Sequence, residues 1–282
     1  MKLHQVRRRL SSALMTAVVA GLAGLTVLAL LLILGNLVKE GVTSLDWNFF
    51  TRNPVSPGQT GGGVANAIAG TGIVVALAAL IGLPVGIGAG LYLADYGSGR
   101  LGWLVRFVAD VLNGTPSIVI GVFAWTWLVK PMHHFSAAAG GVALAILMIP
   151  MITRTTEEMV RLVPHSLREA ALALGYQRWR TQLQIVVRTA LPGIVTGCLV
   201  GLARVAGETA PLLFTALGNV NFSTNVFQPM QTLSLQIYVY ATGPFDEWHR
   251  LAWAAALVLM ALVLLFGVAA RRATRSRFAD GR

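Results

Sequence analysis

Two ionisable side chains sit where an apolar chain tolerates them least. Arg204 and Glu208 lie in a long apolar stretch from about Ala190 to Leu217, preceded by Gly197 and Gly201 and followed by Thr209 and Pro211. An ionised side chain at the centre of a bilayer costs about 2.5–3.5 kcal/mol on insertion scales, so each needs a partner or a wet cavity. Their i, i+4 spacing places them on one helix face. Pro211 has no N–H, so the carbonyl of Gly207 loses its helical partner beside Glu208. Broken helices at membrane depth line transport paths. A guanidinium offers planar, paired donors to an oxyanion, and Glu208 could accept from a protonated anion or hold Arg204 loosely. The alternative is a self-neutralising pair that only fixes helix packing. Thr209 could add a neutral donor, as could Thr115 and Ser117 in the break Asn113-Gly114-Thr115-Pro116-Ser117. Each hydroxyl could equally cap or back-bond to its own helix.

A second constellation offers contact rather than chemistry. Glu157 to Pro192 is polar and basic, with Arg161, Arg168, Arg178, Arg180 and Arg188, and it lies between two apolar segments. Within it, Glu169-Ala170-Ala171 is followed after three residues by Gly175 and after nine more by Ile185. Leu167 to Leu174 is a strong helix former, Gly175 a natural stop. A second amphipathic helix with Trp179, Leu183, Val186 and Val187 on one side then makes a two-helix knuckle. An ordinary amphipathic loop helix is the plain alternative.

The elements that must position these residues follow from composition. The chain has 282 residues, 55% hydrophobic and 12% charged, against about 25% charged in a soluble domain. It is a polytopic, all-α integral membrane protein. The net charge of +11 would suggest nucleic acid in a soluble chain, but here the basic residues sit in alternate loops and at both ends, so no nucleic-acid partner is expected. Cys198 is the single cysteine, which excludes an internal disulfide and a cysteine-based metal cluster. There is no Gly-x4-Gly-Lys-Ser/Thr run, no Ser–His–Asp set and no metal-ligand set within the apolar spans. No enzyme activity is expected.

Six spans are expected, at about Ala13–Val38, Asn66–Leu93, Trp103–Val129, Ala137–Thr153, Ala190–Leu217 and Leu251–Ala270. This divides the chain into an N-terminal segment 1–12, a six-span body 13–270 with a loop at 154–192, and a basic tail 271–282. Trp47, Phe49 and Phe50 suggest a short interfacial helix after the first span. Gly218 to Trp248 reads as a polar loop. Arg106 and Asp110, also i, i+4, read as a structural pair. Sixteen of the 22 Lys and Arg residues fall in the two ends, the Arg100 loop and the knuckle, and four in the other loops. The positive-inside rule then places both termini and the knuckle in the cytoplasm.

Residue spacing adds a resemblance. Glu169, Ala170, Ala171, Gly175 and Ile185 resemble the Glu-Ala-Ala loop of ABC-importer permeases, which docks on an ATPase subunit. Val187-Arg188 stands where that pattern has Leu-Pro, and Leu191-Pro192 follows four residues later. The run Arg204 to Ala216, the run Asn113 to Gly121, Trp47 to Thr51, Gly62-Gly63 with Asn66 to Thr71, and Pro229 to Tyr238 resemble the membrane permeases of phosphate-specific ABC importers, in particular the PstA-type subunit. The resemblance implies a six-helix permease of the type I importer kind with a cytoplasmic two-helix coupling loop, located in a bacterial inner membrane. It implies a homologous PstC-type permease, two PstB-type ATPase subunits that carry ATP and magnesium, and a periplasmic PstS-type phosphate-binding protein. Arg204, Glu208, Thr209, Thr115 and Ser117 would then line the substrate path. Another oxyanion or small solute, or an ion-coupled transporter that works without ATP, are the rival readings.

Overall fold

The computed structural model describes residues 2–56, 59 and 61–279, with side chains described from Ser12 to Ala269 and at Arg271 and Arg272. The described residues are mostly helical, and their only β feature is an isolated bridge between Leu217 and Met230. Helices α1 (Lys2–Val42), α2 (Trp47–Thr51) and α3 (Ala65–Tyr96) come first, followed by α4 (Arg100–Gly114) and α5 (Ser117–Ala124). A π-helical turn, Trp125–Val129, leads from α5 into α6 (Lys130–Met132). Helix α7 (Ala137–Arg161) precedes the knuckle helix α8 (His165–Ala173). Helix α9 (Arg178–Arg180) continues without interruption through a second π turn, Thr181–Val186, into α10 (Val187–Ala206). The chain ends with α11 (Ala210–Leu213), α12 (Leu233–Ala241) and α13 (Asp246–Ala279).

Helix α7 is the centre of the bundle, and small residues on its neighbours explain why. Gly82, Gly86 and Gly90 form an i, i+4 row on α3. A Cβ built on each would stand 2.5 Å from Met148 Cε, 2.7 Å from Ile152 Cβ and 2.5 Å from Thr156 Cβ, respectively. The matching row on α7 is therefore seated directly on the α3 backbone, a close approach that only glycine permits. On the other side, Gly197 and Gly201 of α10 face Thr155 and Ile152. Met148, Ile152, Leu144, Val74, Val205 and Leu212 make the resulting core.

Among the described residues, five helices are long and apolar enough to cross a membrane, and the pair Arg100–Gly114 and Ser117–Met132 would be a sixth span if it crosses as one unit. That pair is bent by 105°, so the expected third span is not one straight helix. Pro116 denies the chain an amide and biases Thr115 to an extended backbone, with ψ 132°. The expected fourth span, α7, also differs, running to Arg161 rather than stopping near Thr153. Its polar end is stabilised by ion pairs described below. The fifth runs unbroken from Arg178 and closes at Ala206 instead of continuing to Leu217.

Gly218 to Trp248 is not a plain polar loop. It contains α12, and Gln231, Thr232, Ser234 and Gln236 are buried. The end of this segment belongs to a second core with Phe49, Val64, Ala67, Leu233, Tyr240 and Leu251. Phe49 is thus a core residue rather than an interfacial anchor, held in place by Asp46, whose carboxylate accepts from the Phe49 amide at 2.7 Å and caps α2.

Candidate functional site: a broken helix and a docking knuckle

Helix α10 ends one residue before Gly207. The amides of Gly207 and Glu208 donate back to Arg204 and Val205 at 3.1 and 3.2 Å, and α11 restarts at Ala210 with Pro211 in its first turn. Thr209 closes the gap, because its carbonyl accepts from Leu212 and Leu213 at 3.1 and 3.2 Å. The break is therefore three residues wide, broader than one missing bond at Pro211. Arg204 Nε stands 4.0 Å from Glu208 Oε1, with the arginine side chain 57% exposed and the glutamate 22%. This is a loose pair, not a tight internal neutralisation, and it leaves more than half of the arginine side chain exposed.

The backbone of the break is held from the segment between Gly218 and Trp248. Ser234 Oγ donates to the Glu208 carbonyl at 2.9 Å. Ser234 is fixed in turn by the start of α12, where Thr71 Oγ1 accepts from the Leu233 amide at 2.8 Å and donates to the Ala67 carbonyl at 2.7 Å. Asn66 Nδ2 donates to the carbonyls of Asn219 and Val220 at 2.7 and 3.2 Å. A Cβ on Gly70 would strike the Gln231 carbonyl. The motifs Asn66 to Thr71 and Pro229 to Tyr238, far apart in sequence, are one packed unit behind the break.

The other break lies beside it. A Cβ on Gly121 would stand 2.7 Å from Pro211 Cα, so α5 lies on the backbone of α11. Ser117, one turn before Gly121, is half-buried at the start of α5. Thr115 Oγ1 donates to the Val111 carbonyl at 2.7 Å, which is the back-bonding alternative for that hydroxyl.

The knuckle has a different geometry from close packing. Gly175 has φ +82°, and a Cβ there would meet nothing within 4 Å. The Tyr176 amide donates to the Ala171 carbonyl at 3.1 Å and the Gly175 amide to Leu172 at 3.0 Å. These two bonds define a Schellman C-cap, which demands a left-handed residue at this position. Gly175 is required by the turn within this chain, and the space above it is open. Ala171 is buried, whereas Ala170 and Glu169 are exposed. Ile185 is half-buried inside the π turn that leads into α10.

Sequence reasoning missed how the knuckle is tied to the bundle. Arg168 Nη1 lies 2.7 Å from Asp95 Oδ1 near the end of α3, and its Nη2 donates to the Val160 carbonyl at 3.3 Å. Above it, the buried Glu157 carboxylate receives Arg106 at 2.8 Å, Arg154 at 3.2 Å and Arg161 at 2.8 Å. Arg106 also donates to the carbonyls of Gly97 and Leu93 at 2.6 and 3.0 Å, and Arg154 bonds Asp110. Arg106 and Asp110 are therefore not partners of each other. Both turn to α7 because it places Arg154, Glu157 and Arg161 at i, i+3 and i+7, a spacing that was readable as one charged stripe.

An all-helical bundle with apolar spans, two proline-associated breaks side by side and a capped polar knuckle is the build of a transport permease. The chain matches the model of the family described as binding-protein-dependent transport system inner membrane component over residues 86–278. It is 47% identical to the phosphate transport system permease protein PstA of Yersinia pestis, over 86% of this chain and 82% of that one. It is 44% identical to that of Haemophilus influenzae, over 85% of each. It is 37% identical to PstA 1 of Mycobacterium tuberculosis strain H37Rv, over 94% and 88%. Among solved structures, a chain of the MetNI methionine ABC transporter in an inward-facing conformation superposes with TM-score 0.58 at 23% identity, over 76% of this chain and 93% of that one. A chain of a bacterial alginate ABC transporter does so with TM-score 0.63 at 16% identity, over 89% and 93%. The fold is that of an ABC-importer permease, and the chain belongs to the PstA family of phosphate transport system permease proteins, as a multi-pass inner-membrane transport component.

Proposed function

We infer that this chain is one permease half of an ATP-driven phosphate importer, passing inorganic phosphate from a periplasmic binding protein to the cytoplasm by alternating access. The observation that carries the reading is Arg204, a guanidinium on a broken helix, loosely held by Glu208 and more than half exposed. An arginine so placed has donors left for an oxyanion, and the second wall of the path would come from the homologous PstC-type permease. Glu208 keeps the contact weak by competing for the guanidinium and can accept from a protonated phosphate. Thr209 and Ser117 add neutral donors nearby, with Thr115 at the end of the adjacent helix.

In this reading the chain has no catalytic site. Two PstB-type ATPases hold ATP and magnesium and receive the knuckle of Glu169, Ala170, Ala171, Gly175 and Ile185. The PstS-type binding protein docks on the outer unit around α12, and both termini and the knuckle face the cytoplasm. The six-span body then runs 13–270 between a segment 1–12 and a tail 271–282, and the coupling region 154–192 takes in the end of α7, the knuckle helix and the start of the helix from Arg178. Vesicles reconstituted with both permeases, the ATPase and the binding protein should take up labelled inorganic phosphate only with ATP, with sulfate as the control anion. Uptake of sulfate or another solute in preference to phosphate would overturn the substrate. Phosphate uptake that persists without ATP would overturn the coupling.

A further inference from the structure

A cleft of about 430 Å³ opens behind the knuckle, between the end of α3 and the first turns of helix Arg178–Ala206. Three of its lining residues carry buried polar atoms without a partner: Arg168 Nε, Thr181 Oγ1 and Gln182 Nε2. Thr181 is 4% exposed. Two of these atoms are donors only, and the hydroxyl can donate as well. Arg178 adds a second guanidinium to the lining.

The helix that begins here is open at its end. No side chain caps it, its first turn has no acidic residue, and Gln177 Oε1 instead accepts from Trp179 Nε1 at 2.7 Å. The first amides and the aligned backbone dipoles therefore favour negative charge in the cleft. Asp95 is the one carboxylate in the lining, and Arg168 already engages it. Donors are in excess, and the missing partner is an anion with several acceptor oxygens. Tyr96, the last residue of a candidate span, and Trp179 line the same cleft, as aromatic side chains do at the headgroup level of a bilayer. Basic pockets of this kind between helix ends hold lipid phosphates.

We propose that this cleft binds a phosphate-type anion, presented either by the headgroup of an anionic phospholipid or as free phosphate. Tetrahedral oxygens would take the donors of Arg178, Thr181 and Gln182 and the open amides of the helix. The site is separate from the substrate path, and binding is read without transport, so failure of uptake and failure of the cleft are distinguishable.

The test is native mass spectrometry on the full-length chain in detergent, titrated with phosphatidylglycerol, phosphatidylcholine or inorganic phosphate. Thr181→Val keeps the side-chain volume and removes the hydroxyl, and Arg178→Gln removes an exposed charge. Each should weaken anion binding about tenfold, the scale of a hydrogen bond to a charged group. Phosphatidylglycerol binding with that dependence, and weaker phosphatidylcholine binding, assigns the site to a lipid headgroup. Inorganic phosphate binding with the same dependence, and no phosphatidylglycerol binding, assigns it to the free anion. Phosphatidylglycerol and phosphate binding that both variants leave unchanged overturns the proposal. So does a defect confined to ATPase co-purification, which would give the cleft to an acidic side chain of the partner.

Discussion

Arg168 Nη1 and Asp95 Oδ1, 2.7 Å apart and both mostly buried, join the knuckle helix to the end of α3. The residue after Arg168 is Glu169, the first residue of the Glu-Ala-Ala run. A push on α8 therefore reaches α3 through an ion pair and through the Val160 carbonyl at the end of α7. Movement of an ATPase against the knuckle would be transmitted to the two most tightly packed helices of the bundle.

Asp95→Asn should loosen that link. It removes a charge from a partly buried pair and leaves Arg168 under-compensated, a cost of about 1–3 kcal/mol. Expected is lower thermal stability together with more ATP hydrolysed per phosphate transported. The exchanged pair, Asp95→Arg with Arg168→Asp, should recover part of the coupling. Unchanged stoichiometry in Asp95→Asn would show that the pair transmits nothing.

Gly175 separates turn geometry from docking. Any side chain at φ +82° is strained, by about 1–2 kcal/mol for Ala, and Asn is tolerated better. Gly175→Ala should therefore lower stability more than Gly175→Asn. Gly175→Trp should also reduce ATPase co-purification, since it fills the open space above the turn. Normal assembly and transport in both Gly175→Trp and Glu169→Lys would remove the docking role from the knuckle.

Glu157 is the hub of the end of the bundle beside the knuckle. Replacing it with Gln leaves Arg106, Arg154 and Arg161 around a neutral amide, and breaking a buried ion pair on one side costs about 3 kcal/mol. The arginines are partly solvated, so the loss should fall short of complete unfolding. Glu157→Gln should lower the unfolding midpoint in denaturant while the chain still inserts. An unchanged midpoint would mean that solvent already screens the cluster.

Span number can be settled by reporters. Fusions at the C-terminus and in the loop after α2 should report opposite sides of the membrane. Fusions in the Gly97–Gly99 loop and at His134 should do so as well if α4 and the bent helix after it cross together. The same side for this last pair would make the 105° bend a re-entrant turn and leave five crossings.

Much of this fold was legible because its signals are local. Apolar length, the glycine row of α3 and the Gly175 stop each depend on neighbours a few residues away. The break was legible to the same extent: Pro211, next to the Arg204–Glu208 spacing, located it. What escaped depends on distant partners. Gln231, Ser234 and Gln236 read as loop residues because the contacts that bury them form only on folding, with Gln231 Nε2 donating to Gln236 and Ser234 to the Glu208 carbonyl. Arg106 and Asp110 looked like a pair because i, i+4 neighbours are the only contacts a sequence offers. Glu157 looked like the start of a loop because its three arginines are gathered by folding.

Arg204 is the residue on which the substrate reading turns. Its pairing with Glu208 is 4.0 Å long and more than half of its side chain is exposed, so packing gives it little reason to be charged. Apolar residues would fill the same place without desolvation. If the pair were structural, the exchanged double variant, Arg204→Glu with Glu208→Arg, should preserve uptake, and the neutral pair Arg204→Gln with Glu208→Gln should be mild. If Arg204 meets the anion, Arg204→Gln alone should abolish phosphate uptake with complex assembly and binding-protein docking intact. Glu208→Gln should then give a partial defect that changes with pH, because a carboxylate that accepts from the protonated anion distinguishes monoanion from dianion, and the two interconvert near neutrality. Uptake by reconstituted vesicles at two pH values reads both variants. Full uptake by Arg204→Gln would take this residue out of the path and leave the break at Gly207 to Thr209 as a hinge.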